Sequence, residues 1–213
     1  MNNEHSERCL DTPILAAVLK MYLNYPVTIL VVIVGLVAAV TSLASGSTVD
    51  DLGWHQGDSV EAPWRLITAH FVHLNAAHFA VNFTAAVLFG LICDRLELSL
   101  QLLVASLIVM VCVSLGLEFG PWEIDWYVGF SGVLHGIFAW LCLRSVLRPL
   151  AQGHWWGLRG VYVALFLGGL VKVLVSLKIP VGSVGWQEIP QVTPAHLYGF
   201  AGGSFWALLR WPK

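Results

Sequence analysis

Apolar stretches separated by short polar breaks run along most of the chain, and their lengths set the first expectation. Six of them approach the roughly 20 residues that an α-helix needs to cross a bilayer. They fall at residues 26–43, 78–93, 98–117, 131–147, 161–177 and 194–209. The segments between them, among them ASGSTVDDLGW, DRLE, EFGPWEIDW and KIPVGSVGWQEIP, carry turn and charge signals. This pattern predicts an all-α polytopic membrane protein with six transmembrane helices. No linker divides the chain and no fixed-period repeat interrupts it. Residues 1–25 therefore read as an N-terminal segment, and residues 26–213 as one six-helix membrane domain. The first apolar stretch lacks a small-residue cleavage site and reads as an anchor that is retained.

Composition points the same way. Hydrophobic residues make up 57% of the chain and charged residues 11%, with a mean hydropathy of +0.75, whereas a soluble domain has roughly 25% charged residues. The formal net charge of -2 provides neither a basic patch nor an acidic tail, so no nucleic-acid partner is expected. Cys9, Cys93, Cys112 and Cys142 form no C-x-x-C pair and suggest no disulfide framework.

Charge distribution is more informative than the total. With six crossings both termini share a side, which holds Arg8, Lys20, Arg95, Arg144, Arg148, Arg159, Arg210 and Lys213, against Arg65 and Lys178 on the other. Positive loops stay in the cytoplasm, so both termini are expected there. Lys172 falls inside the fifth span and is expected to snorkel to its outer end. Trp54, Trp64, Trp122, Trp126 and Trp186 on one side, and Trp155, Trp156 and Trp211 on the other, fit two interfacial belts.

Spans two, four and six run in the same direction, and each opens with polar residues: His78 and Asn82, Ser131, and His196. At about 1.5 Å per residue, the path to the charge ending each span is about 24 Å from His78, about 20 Å from Ser131 and about 21 Å from His196. These side chains therefore occupy one layer of the membrane. His78 and Asn82, four residues apart, share a helix face. Gly199 and Gly203 clear the face of His196, and Gly132 and Gly136 form a second small-residue pair on span four, so spans four and six can approach closely.

Polar groups are costly at that depth and read as functional by default. A serine hydroxyl becomes a nucleophile when a base within about 2.6–3.2 Å takes its proton, and neutral histidine suits that task near pH 7. The first N–H groups of span four would favour a developing oxyanion, with His78 and Asn82 as further donors. Glycines 129 and 132 permit close backbone approach. Ser131 and His196 are thus candidate nucleophile and base, working as a dyad because no acid completes a triad.

Other histidines carry blander readings. His70, His73 and His78 invite a haem or metal hypothesis, but no H-E-x-x-H motif and no carboxylate inside the spans accompanies them; no metal or cofactor is expected. His135, one turn below Ser131, reads as a buried histidine bonded to a neighbour. His5, His55 and His154 read as surface residues, and Glu118, Glu123, Asp125 and Glu188 as solvated loop residues.

These residues together resemble the rhomboid family of intramembrane serine proteases. The likeness covers five of the six spans and includes WRLITAHFVHLNAAHFAVN, from Trp64 to Asn82, with Trp64 and Arg65 similar to the family's first-loop motif and His78-x-x-x-Asn82 to its oxyanion-stabilising pair. Gly129-Phe130-Ser131-Gly132 resembles the nucleophile motif, and His196 with Gly199 and Gly203 the base-bearing helix. His73 falls where the family has a structural loop histidine. Phe130 stands where many members have a small residue.

The resemblance implies a six-helix rhomboid-like bundle with a water-filled cavity open to the outside and a mobile fifth helix or adjacent loop. It implies a multi-pass protein of the bacterial inner membrane, its site facing the periplasm and its substrates membrane-anchored proteins in the lipid bilayer. GVLHG after the serine and HFVHLNAAH are similar to the rhombosortase branch, which implies processing of C-terminal tails with a Gly-Gly motif. Two alternatives stay open: a non-catalytic rhomboid-like protein that binds membrane clients, and a carrier of histidine-ligated haem or metal.

Overall fold

A computed structural model of the chain describes residues 20, 23–44, 48–147, 156–178 and 192–209. Expectations that involve Arg8, Cys9, Arg148, Trp155, Trp186, Glu188, Arg210, Trp211 and Lys213, and nearly all of the N-terminal segment, fall outside them. From the amino end, α1 (Pro26–Ala44) is followed by a loop holding α2 (Thr48–Leu52), strand β1 (Trp54–His55), α3 (Arg65–Thr68) and a 3-10 turn (Ala69–Phe71). Then come α4 (Ala76–Arg95), α5 (Ser99–Phe119), strand β2 (Trp126–Tyr127), α6 (Ser131–Leu147), α7 (Trp156–Ser176) and α8 (Thr193–Leu209).

Each predicted apolar stretch is helical, but the crossing criterion is met unevenly. Ala76–Arg95, Ser99–Phe119 and Gly157–Ser176 are long and apolar enough to span a membrane, while Pro26–Val40 and Ser131–Leu147 are apolar but shorter. At 17 residues α6 reaches only about 26 Å against a core of roughly 30 Å. Leu88, Leu107, Leu167, Val171 and Leu174 are exposed on the outer faces of α4, α5 and α7. Apolar surface so extensive suits lipid rather than water, and the protein is a membrane protein.

Helix α6 lies at the centre. Val133, Ile137 and Trp140 on it are buried and belong with Val109, Val113 and Leu117 of α5 to the main core, while Ala139 packs with Val173 and Phe200. Helix α7 is peripheral, with Val173 and Ser176 its buried residues among those described. Four glycines bring α6 and α8 into backbone contact. A methyl group on Gly199 would run into the carbonyl oxygen of Gly132, one on Gly203 into that of Gly136, and one on Gly136 would lie 2.6 Å from the carbonyl oxygen of Gly199. This is the close approach that the two small-residue pairs predict.

A buried carboxylate joins three helices at the opposite end. Asp94, near the end of α4, accepts hydrogen bonds from the backbone N–H groups of Val27 and Thr28 at 3.2 and 2.9 Å, and from the hydroxyls of Thr28 and Ser99 at 2.6 Å each. It thereby caps the first turn of α1 and ties in the first turn of α5, where negative charge meets unpaired N–H groups.

Among the described residues, the structure departs from the all-α expectation at one place. β1 and β2 pair antiparallel, Trp54 opposite Tyr127 and His55 opposite Trp126, linking the loop after α1 to the segment that leads into α6. Two residues per strand are too few to show an alternating pattern. Glu118, expected in a solvated loop, belongs to the last turn of α5 and is only partly exposed.

Candidate active site

The segment before α6 is anchored twice. The β1–β2 pair holds Trp126 and Tyr127, and the N–H of Gly129 donates to the carbonyl oxygen of Ala69 at 2.9 Å. The Tyr127 hydroxyl donates to the Gly129 carbonyl at 2.5 Å. Burial pushes the Tyr127 phenol upward, so it stays protonated and serves as that donor. Gly129 has φ of +112°, and a β-carbon there would lie 2.6 Å from Cε1 of His78. Both the backbone and the imidazole packed on it require glycine. The chain then turns into α6 with Ser131 as its first residue.

Helix α8 presents His196 from its first turn, after Thr193 and Pro194, where proline is well tolerated. The glycine contact below sets the approach. Ser131 Oγ lies 3.0 Å from His196 Nε2. A serine hydroxyl in that position can pass its proton to the imidazole as its oxygen attacks an electrophile. His196 Nδ1 is buried and has no hydrogen-bond partner among the described residues.

On α4, His78 and Asn82 are both buried, at 8% and 4% exposure. They line, with Ser131 and His196, a cavity of about 560 Å³. His78 Nδ1 and Asn82 Nδ2 are buried without a partner among the described residues. Most buried polar groups in folded proteins are partnered, by protein or by water, and these two are open to a partner from the cavity. Asn75 caps α4, its Oδ1 accepting from the His78 N–H at 2.8 Å, which fixes the register of both side chains; an asparagine ahead of an apolar run was the available signal.

The remaining predicted residues support the loop rather than the cavity. Arg65 pairs with Asp58 and donates to the carbonyl oxygens of Asp50 at 2.6 Å and Asp51 at 3.4 Å. Trp64, half exposed, donates its indole N–H to Asp51 at 3.3 Å. His73 Nδ1 donates to the Phe71 carbonyl at 3.1 Å, and its ring meets His78 edge to face at 5.0 Å. Gly132 faces the Ala195 carbonyl across the α6–α8 contact. Phe130 packs on Phe71, ring centres 5.8 Å apart.

His70 is fully buried, with Nε2 at 3.2 Å from both the Met110 carbonyl and the Ser114 hydroxyl. The carbonyl can only accept, so Nε2 carries the proton and pins the loop to α5. Burial pushes His70 down to about 4, and burial together with the nearby His78 does the same to His73. Among the described residues no three His, Cys, Asp or Glu side chains gather as metal ligands.

Two residues make contacts beyond their sequence readings. His135 is bonded to a neighbour as expected, its Nδ1 2.7 Å from the Ser131 carbonyl, but it also stacks on His196 with ring centres 4.1 Å apart. Lys172 does not simply reach for the membrane surface: its Nζ lies 2.5 Å from His135 Nε2, at the cavity wall. The turn-to-turn spacing on α6 gave no sign of α7, so neither contact was readable from one helix alone.

The sequence model of the Rhomboid domain matches residues 60–213, which takes in β2, the 3-10 turn and every helix from α3 to α8. No curated protein matches the chain.

Proposed function

The chain belongs to the rhomboid family, a family of intramembrane serine proteases that also includes inactive members, and from this we propose that it is an active endopeptidase with a Ser131–His196 dyad. The observation that carries the proposal is the 3.0 Å contact between Ser131 Oγ and His196 Nε2 inside a cavity with unpartnered donors. Ser131 Oγ attacks the scissile carbonyl of a membrane-anchored protein while His196 takes its proton. His196 then returns that proton to the leaving amine, and water attacks the acyl-enzyme with His196 again as base.

The negative oxygen formed in the first step needs donors already in place. Asn82 Nδ2, His78 and the backbone N–H of Ser131 fill that role, and the burial of the first two without partners supports it. A helical substrate carbonyl is hydrogen-bonded and shielded, so the cut falls where the substrate helix unwinds, at helix-breaking residues such as glycine. That preference fits the rhombosortase reading, in which tails with a Gly-Gly motif are removed.

In this proposal six helices within residues 26–213 cross the bacterial inner membrane. Residues 1–25 and both termini lie in the cytoplasm, and the cavity opens to the periplasm. Retention of both Ser131 and His196 disfavours a purely client-binding protein. The test compares secreted and membrane-retained proteins in cells carrying the wild type or Ser131→Ala. The proposal predicts that a set of tail-anchored proteins is shortened and released only by the wild type. Identical processing in both strains would reject it.

A further inference from the structure

The dyad leaves one feature of its orientation unexplained. A catalytic base is ordinarily held by a hydrogen bond from its far nitrogen to a third group, yet His196 Nδ1 has no partner among the described residues. What touches the ring instead is His135. The two rings lie within 19° of parallel, their centres 4.1 Å apart.

The hydrogen bonds of His135 fix its protonation. The Ser131 carbonyl, 2.7 Å from Nδ1, can only accept, so Nδ1 carries the proton. In the neutral ring Nε2 then presents a lone pair, and the Lys172 ammonium at 2.5 Å donates to it. Among the described residues lining the cavity, Lys172 is the one formally charged side chain. Among the described residues no carboxylate lines the cavity, and the contact that Lys172 makes there is with the imidazole. Charged groups at membrane depth are retained for function.

We propose that Lys172 is a positioning residue that acts on His196 through His135. Held at both nitrogens, His135 keeps one tautomer and one ring orientation, and its face becomes a fixed platform that limits rotation of the His196 imidazole. That rotation decides whether Nε2 meets Ser131 Oγ. The ring torsion of histidine is otherwise broad, so a platform anchored on one side only would not hold the base in register. The tie crosses from α6 to α7, so it sets the base from a helix that carries neither member of the dyad. The proposal rests on Ser131 and His196 being nucleophile and base.

The test measures fluorophosphonate labelling of the full-length protein in detergent, separating the maximal labelling rate from the half-saturating probe concentration. Lys172→Met is expected to lower the maximal rate at least tenfold with the half-saturating concentration within twofold and the melting midpoint within a few degrees. His135→Phe keeps a ring but offers no acceptor, and should reproduce that loss. In the double variant the second substitution should cost less than a further twofold, because both break the same chain. Lys172→Arg, which keeps a donor, should recover most of the rate. Labelling of Lys172→Met at the wild-type rate, or independent multiplying losses in the double variant, would overturn the proposal. If Lys172→Met does not fold, His135→Phe at the wild-type rate overturns it equally. Labelling that persists in Ser131→Ala would instead strike at the dyad itself.

Discussion

Gly199→Ala isolates the contact on which the site depends. The new methyl group points into the carbonyl oxygen of Gly132, a backbone atom with no side-chain freedom to yield. An ordinary carbon–oxygen contact needs about 3.3 Å, so α6 and α8 must part by roughly 1 Å or more. Gly132 adjoins Ser131, and Gly199 lies one turn below His196, so the separation passes directly to the Oγ–Nε2 distance. From 3.0 Å it would grow to about 4 Å, beyond hydrogen-bond reach. A misplacement of about 1 Å costs on the order of 100-fold in rate, while overpacking a core costs about 1–3 kcal/mol of stability. Fluorophosphonate labelling and thermal unfolding, measured on the same detergent-solubilised sample, separate the two effects. Labelling within twofold of wild type in a folded Gly199→Ala protein would refute this account of how the helices set the dyad.

Two further outcomes follow from the buried polar groups. Asn82→Ala removes an unpartnered donor facing the cavity and should slow turnover by about 100- to 1,000-fold with little change in melting midpoint; proteolysis of a transmembrane reporter checks it, and a change under threefold contradicts the oxyanion role. His70 and His73 are pushed down to about 4 in the folded protein, below their ordinary value of about 6.5. Between those values the unfolded chain binds the extra protons, so stability is full above pH about 6.5, falls as pH drops toward 4 and levels off below it. The slope is about 1.4 kcal/mol per pH unit for each histidine. Denaturation midpoints from pH 7.5 to 4.5 should show this decline and should show a shallower one in His70→Gln.

Much of this site was legible because polar residues are conspicuous in apolar helices. Ser131, His196, His78 and Asn82 each stood out against their neighbours, and equal depth along parallel spans was enough to suggest that they meet. The glycines at 132, 136, 199 and 203 disclosed the close packing, since small residues four apart have few other uses in a membrane helix. What stayed hidden was set by contacts between distant segments. Lys172 reads as a snorkelling cation until α7 is laid beside α6, and His135 reads as an ordinary buried histidine until the ring of His196 is seen above it. Asp94 looked like a loop charge, yet it caps α1 from 66 residues away. The β1–β2 pair depends on residues more than 70 positions apart and on backbone groups that carry no sequence signal.

Mapping where a fluorophosphonate bonds covalently tests the dyad most directly. Peptide mass spectrometry of the labelled wild-type protein should find the adduct on Ser131, with none in Ser131→Ala and labelling slowed by orders of magnitude in folded His196→Ala. An adduct on a different residue, or labelling of His196→Ala at the wild-type rate, would contradict the account.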